Sequence, residues 1–133
     1  MIDHAFWNTL DELIVNSHIV IDRPKGSRHQ RYADVTYPLD YGYLAGTTSA
    51  DGEGIDVWLG SDDRRQFVGV VCTVDSVKRD SEVKLLIGCT DAEVQLVCSF
   101  HKTNFMSCLL MPNPLLKQSD CAYIAPNLNV QDD

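Results

Sequence analysis

The chain is short of positive charge. Against 19 acidic residues stand 11 lysines and arginines, a net charge of −8 at pH 7. Nucleic-acid binding draws its affinity from neutralised phosphates, so this balance argues against a nucleic-acid partner. An acidic protein can still take a phosphate ligand when cations stand between its carboxylates and the phosphate. Long apolar runs are missing too. Nothing approaches the ~20 consecutive apolar residues of a membrane-spanning helix, so no membrane partner is expected. The N-terminal stretch lacks a basic segment, and Asp3, Asp11 and Glu12 interrupt any apolar core, so it does not read as a secretion signal. Paired cysteine spacing is also absent. The five cysteines, at 72, 89, 98, 108 and 121, are odd in number and contain no Cys-x-x-Cys, which suits neither disulfides nor zinc. They read as small buried hydrophobes kept reduced, and the expected compartment is the cytoplasm. The histidines at 4, 18, 29 and 101 are too scattered to suggest a metal site.

What is present fits one globular domain. The 133 residues are 44% hydrophobic and 23% charged. Phe6, Leu10, Leu13 and Ile14 recur at helical spacing after Asp3, which predicts a short amphipathic helix ending near Asn16-Ser17. Ile19-Val20-Ile21 reads as a strand ended by Pro24, and residues 23–34 as a polar, basic, turn-forming stretch. The segment from Tyr37 to Thr48 suits a strand, a turn and extended chain. Ile55–Leu59, Phe67–Val74 and Val83–Ile87 read as strands. Thr90-x-x-Glu93 is a capping-box signature, which predicts a helix over about 91–102. Phe105–Met111 returns as a last strand. The expected organisation is one domain over 1–111 with an N-terminal helix, and an arm or tail over 112–133. The expected class is mainly β with flanking helices: a small OB-like five-stranded β-barrel, or alternatively an antiparallel sheet packed on helices without closure.

Three groups of side chains carry chemistry. The first is Asp51, Glu53 and Asp56, three carboxylates within six residues around two glycines. Side chains at i and i+2 of an extended segment share a face, so Asp51 and Glu53 can point together, and a bend at Gly52 or Gly54 can bring in Asp56. Asp56 interrupts an otherwise apolar strand, where a carboxylate calls for a pairing partner or a metal. Magnesium is a natural one, being a hard ion that takes oxygen ligands. Taken alone, Asp-Gly-x-Gly is also an ordinary turn sequence. The second group places Arg23, Lys25, Arg28 and Arg31, four cations within nine residues, in a loop suited to phosphate oxygens or simply to solvent. The third is Asp75, Asp80, Glu82 and Lys84 beside a valine-rich strand, which reads equally as a metal and phosphate site or as a charged hairpin turn.

Together these groups resemble the soluble (family I) inorganic pyrophosphatases, as a short divergent branch. The resemblance runs from about Ile19 to Gly88. It is strongest in Tyr37-Pro…Tyr41-Gly-Tyr43…Asp51-Gly-x-x-x-Asp56-Val57, an order similar to the family's tyrosine-rich strand and its aspartate signature. The resemblance implies an OB-like barrel with flanking helices. It implies Asp51, Glu53, Asp56 and Asp75 as metal ligands, joined by Asp22 and by Asp80 or Glu82. It implies Lys25, Arg28 or Arg31, Tyr41 and Lys84 as substrate-binding groups, and Glu53 with Asp56 as the catalytic pair. The cofactor so implied is Mg2+, with Mn2+ an alternative, the substrate is pyrophosphate, and the assembly is a homo-oligomer whose interface Trp7 or the C-terminal arm could serve. Departures from the family pattern are Glu53 in place of an aspartate, Ala33 where an acid is expected, and His101-Lys102 in place of a Tyr-Lys pair. These departures leave two other readings: hydrolysis of another phosphoanhydride or phosphoester, or a non-catalytic barrel that binds a phosphate ligand or a protein.

Overall fold

A computed structural model describes residues 4–116. Helix α1 spans His4–Val15, and its one buried residue is Trp7. Asn16 and Ser17 end it by donating side-chain hydrogen bonds to the carbonyls of Glu12 and Leu13, at 2.9 and 2.7 Å. The face it buries is Trp7, Leu10 and Ile14, while Phe6 and Leu13 are exposed. Trp7 packs against Phe67, so it is not an exposed interface residue.

Six strands follow the expected order: β1 Ile19–Arg23, β2 Asp40–Leu44, β3 Asp56–Leu59, β4 Phe67–Asp75, β5 Asp80–Ile87 and, after helix α2 (Asp91–Phe100), β6 Met106–Pro112. They form one sheet in the order β1-β2-β3-β5-β4-β6. All pairings are antiparallel except β3 with β5. The class is mainly β with flanking helices, as expected. The sheet has six strands instead of five, and its ladder runs from β1 to β6 without closing among the described residues.

The central strands are built to be covered on both faces. Val57-Trp58-Leu59 and Leu85-Leu86-Ile87 are apolar at every position, so both faces must be covered. Trp58 and Leu86 join one cluster with Val94, Val97 and Cys98 of α2. Val57, Leu59, Leu85 and Ile87 join a second with Trp7, Leu10 and Ile14 of α1. A bulge between Phe67 and Gly69 slips β4 by one position. Consequently Val68 and Val71 lie in the α2 cluster while Phe67 and Val70 lie in the α1 cluster, a spacing that strict alternation forbids. Burying each large side chain contributes about 1.5–3 kcal/mol before entropy is counted.

Two polar devices lock α2 and the chain beyond β6. The predicted capping box forms: Thr90 Oγ1 accepts from the Glu93 N–H and Glu93 from the Thr90 N–H. The Glu93 carboxylate also accepts from the Ser61 N–H, at 3.1 and 3.2 Å to its two oxygens, which ties the helix to the end of β3. Burial alone would raise its pKa, but these backbone donors outweigh it and hold the carboxyl below its ordinary value. Beyond Met111, strand β6 continues to Pro112. Asn113 is buried, donating to the Phe67 carbonyl at 2.9 Å. Leu115 and Leu116 pack against the two clusters. The packed chain thus extends past 111, and the expected arm lies for the rest outside the described residues.

Candidate active site

Strand register assembles the site. Asp56 pairs with Tyr43 of β2 and with Lys84 of β5, and Tyr41 pairs with Trp58. Because alternate residues share a face, Tyr41, Asp56, Glu82 and Lys84 lie on the Trp58–Leu86 face, beyond its apolar end. Lys84, only 6% exposed, donates from Nζ to Asp56 Oδ2 at 2.8 Å, Glu82 Oε1 at 2.7 Å and the Tyr41 hydroxyl at 2.7 Å. An ammonium has three donors, and all three are used. Burial alone would depress the Lys84 pKa, but Tyr41, Asp56 and Glu82 more than reverse it, so the side chain stays charged. Burial, opposed by Lys84 and reinforced by Asp56, raises the Tyr41 phenol well above its usual value, so it stays neutral.

The segment after β2 turns tightly. Gly52, at φ +87°, takes the left-handed conformation that an L side chain resists. Asp51 Oδ1 accepts from Ser49 Oγ at 2.6 Å and from the Glu53 N–H at 2.9 Å. The Ser49 hydrogen bond, then the Glu53 N–H, hold this carboxyl below its ordinary pKa. Asp22, Tyr41, Asp51, Glu53 and Asp56 line one open polar cleft of about 520 Å³. Asp51 and Asp56 also border an adjoining cavity of about 560 Å³, whose other acids are Asp80 and Glu82. Six of the seven carboxylates named as metal ligands therefore flank a common wall.

The seventh, Asp75, stands elsewhere. It is buried at the β4–β5 hairpin, and its Oδ1 accepts from the N–H groups of Val77 and Lys78 at 2.9 and 2.8 Å. It lines a separate aromatic cavity of about 420 Å³, together with Arg31. Among the described residues, neither Lys25, Arg28 nor Arg31 lines the acidic cleft. The Lys25 N–H donates to Asp40 Oδ1 at 2.8 Å, and Arg28 forms an isolated bridge with Thr36. Asp80 meets Lys78 at 3.6 Å. Among the described residues no three His, Cys, Asp or Glu side chains gather closely enough to hold a metal ion. Lys84 itself supplies positive charge beside Asp56 and Glu82.

Two contacts were not legible in the sequence, although His101 itself was named there beside Lys102. One is Ser49, whose hydroxyl fixes Asp51; a serine two residues before an aspartate in a glycine-rich turn was the available signal. The other is His101, at the end of α2, where Nε2 accepts from Trp58 Nε1 at 3.1 Å. It is buried, and no sequence spacing joins residues 58 and 101.

The chain matches the family described as Inorganic Pyrophosphatase over residues 7–104. Its fold is similar to that of an inorganic phosphatase from Anaplasma phagocytophilum, at TM-score 0.53 and 16% identity, covering 71% of this chain and 82% of that one. It is similar also to the inorganic pyrophosphatase from Helicobacter pylori, at TM-score 0.52 and 16% identity over 88% of this chain and 94% of that one. A third similar structure, an inorganic pyrophosphatase from Coxiella burnetii, has TM-score 0.50 and 13% identity, covering 71% and 84%. No curated protein matches the chain. At such identities the structural likeness speaks to fold alone. The family match spans most of the chain and includes every strand but the last, and by it the chain belongs to the inorganic pyrophosphatase family.

Proposed function

We propose that the chain hydrolyses inorganic pyrophosphate to two phosphates at the acidic cleft, with Mg2+ as its cofactor and Mn2+ as a substitute. The observation that carries this reading is the common wall. Asp51 and Asp56 separate two cavities whose remaining acids are Asp22 with Glu53 and Asp80 with Glu82.

The donor chemistry fits such a cation. All six side chains offer oxygen only, which suits a hard divalent ion. Among the described residues, the hydrogen bonds to Asp51 and Glu82 fall on one oxygen of each carboxylate. Magnesium is usually held by one or two carboxylates plus water and substrate phosphate, so a ready-made cage of three is not required. Asp51 and Asp56 would be its principal ligands, with Asp22 and Glu53 on one side and Asp80 and Glu82 on the other. Bound there, the metal supplies Lewis acidity and neutralises phosphate charge.

The chain's own groups do the rest. Glu53, exposed at the rim of the cleft, orients the attacking water and accepts its proton. Lys84 keeps a full positive charge behind Asp56 and, with the Tyr41 hydroxyl, stabilises charge developing on the leaving phosphate. The loop cations Lys25, Arg28 and Arg31 reach substrate only if loop 24–34 moves toward the cleft. Phosphate release from pyrophosphate with Mg2+, beside Asp56→Asn and Glu53→Gln, tests the proposal. Metal-dependent turnover lost in both variants supports it; no turnover in the parent protein ends it.

One observation favours a second reading, a phosphate-binding protein without turnover: among the described residues no three acids converge, and Lys84 already pairs with Asp56 and Glu82. Pyrophosphate binding without phosphate release would select it. A cytoplasmic setting, supported by free Cys72, Cys98 and Cys108, and a homo-oligomeric state complete the proposal. Among the described residues no helix is long and apolar enough to cross a membrane.

A further inference from the structure

The two cavities that share Asp51 and Asp56 differ in what else lines them. The polar cleft adds Asp22, Glu53, three glycines and two tyrosines, with no aliphatic side chain among its described residues. The adjoining cavity of about 560 Å³ adds the acids Asp80 and Glu82 together with an apolar group, Phe6, Leu10, Ile55, Val83 and Leu85. Register explains how one space meets both. Asp56 opens β3 and pairs with Lys84, so β5 from Asp80 to Val83 runs on past the end of β3. Glu82 and Val83 face opposite sides of the sheet, and the space beside them reaches from the acids to α1. Its volume is in the range of small-molecule sites. Phe6 and Val83 are 49% and 47% exposed, so folding leaves about half of each uncovered next to a charged rim. Phe6 meets Trp7 edge-on at 5.4 Å, which seats its ring on α1.

Inorganic pyrophosphate is the same at both ends, and this site is not. We propose that the half-apolar cavity seats the hydrocarbon group of an organic diphosphate, an ester in which one phosphate carries an alkyl or prenyl chain. The proposal rests on the hydrolytic reading above for its chemistry. The bare terminal phosphate would lie in the polar cleft by Glu53, the bridging oxygen at Asp51 and Asp56, and the chain among Phe6, Leu10 and Val83. The water oxygen bonds to the terminal phosphorus, and Glu53 takes the proton. The bridging P–O bond breaks with its electron pair on the departing ester, so the products are phosphate and an alkyl monophosphate. Each chain carbon that leaves water against these side chains tightens binding by up to about fourfold.

Affinity for the product class separates this inference from turnover. Calorimetry of the full-length protein with Mg2+ compares geranyl monophosphate with methyl phosphate, while the Trp7 indole N–H signal reports whether a ligand reaches Phe6. Geranyl monophosphate is expected to bind at least about tenfold tighter and to move Trp7. Phe6→Ala should weaken it about three- to tenfold, and Val83→Thr, which keeps the shape of the side chain, about threefold. Neither change should alter turnover of inorganic pyrophosphate. Equal affinity for the two esters overturns the inference, as does geranyl binding indifferent to both substitutions. So does geranylamine binding as tightly without Mg2+, because the acids then take a cation directly. Hydrolysis of pyrophosphate without any advantage in geranyl binding leaves the earlier reading standing and sinks this one. Phe6-dependent geranyl binding without hydrolysis of any diphosphate does the reverse.

Discussion

Tyr41 stands between two regions built on opposite principles. On its hydroxyl side, Asp56, Glu82 and Lys84 satisfy one another, so that a lysine 6% exposed keeps its charge. On its ring side, apolar and aromatic walls surround a histidine with one nitrogen paired and the other not. The acidic side is laid out by strand register; the aromatic side is lined by rings together with residues of loop 24–34, the β4–β5 hairpin and the end of α2. The contrast shows how burial acts in both directions. It leaves Lys84 ionised because three oxygens surround it, and it keeps His101 neutral because none does.

Substitutions can break this contrast, and the largest effect is expected at Asp56. Asp56→Asn should lower pyrophosphate turnover by about 10²-fold or more, read by phosphate release, since it removes both a metal ligand and the partner that places Lys84. Lys84→Met should be next, leaving Asp56 and Glu82 to face each other. Because both acids are about a quarter exposed, the expected loss is about 1–3 kcal/mol, read as a lower urea midpoint at unchanged slope. Gly60→Ala should destabilise by a similar ~1–3 kcal/mol, because a Cβ there would stand 2.5 Å from Glu93 Oε1 and 2.6 Å from Cys89 Cα.

A pH profile sharpens the aromatic side. Burial first, and the Lys84 charge second, push His101 down to about 3 from the usual 6.5. The folded protein therefore refuses a proton that the unfolded chain binds below pH 6.5. Stability is fully present above pH 6.5 and falls toward pH 3, by at most about 1.4 kcal/mol per pH unit. His29, lowered by burial and by Arg23, Lys78 and Arg31, adds to the same slope. His101→Gln should flatten the profile between about pH 6.5 and 5, above the range where carboxylates protonate. The smallest effect is expected at Ser49→Ala. Losing the hydroxyl leaves Asp51 Oδ1 held by the Glu53 N–H, and should appear in turnover as a small rise in the Mg2+ concentration required.

The element order was legible because each strand and helix carries its own period and stop. Thr90-x-x-Glu93 starts α2 as a capping box does, and Pro24 closes off β1. Asp56 was legible as an acid in an apolar strand, and the glycine-rich turn before it was legible as a place where acids gather. Less clear were the faces. Trp7, not Phe6 or Leu13, is the buried anchor of α1, because the helix meets Phe67 at an angle that periodicity does not encode. The choice between Asp80 and Glu82 beside Lys84 also waited for geometry: Glu82 bonds Lys84, while Asp80 turns to Lys78.

By itself, then, the sequence determined an acidic, mainly β chain with two helices, the second begun by a capping box, and a run of carboxylates around Gly52, since local periods and turn residues act over a few positions. Only the tertiary structure decided that β3 runs parallel to β5, that a bulge at Gly69 turns β4 to serve both cores, and that Trp58 meets His101 across 43 positions. It also decided that Asp75 leaves the acids for the aromatic side. These outcomes depend on which strand edges pair and in what register, a competition among distant segments that is resolved only when both faces of the sheet are buried together.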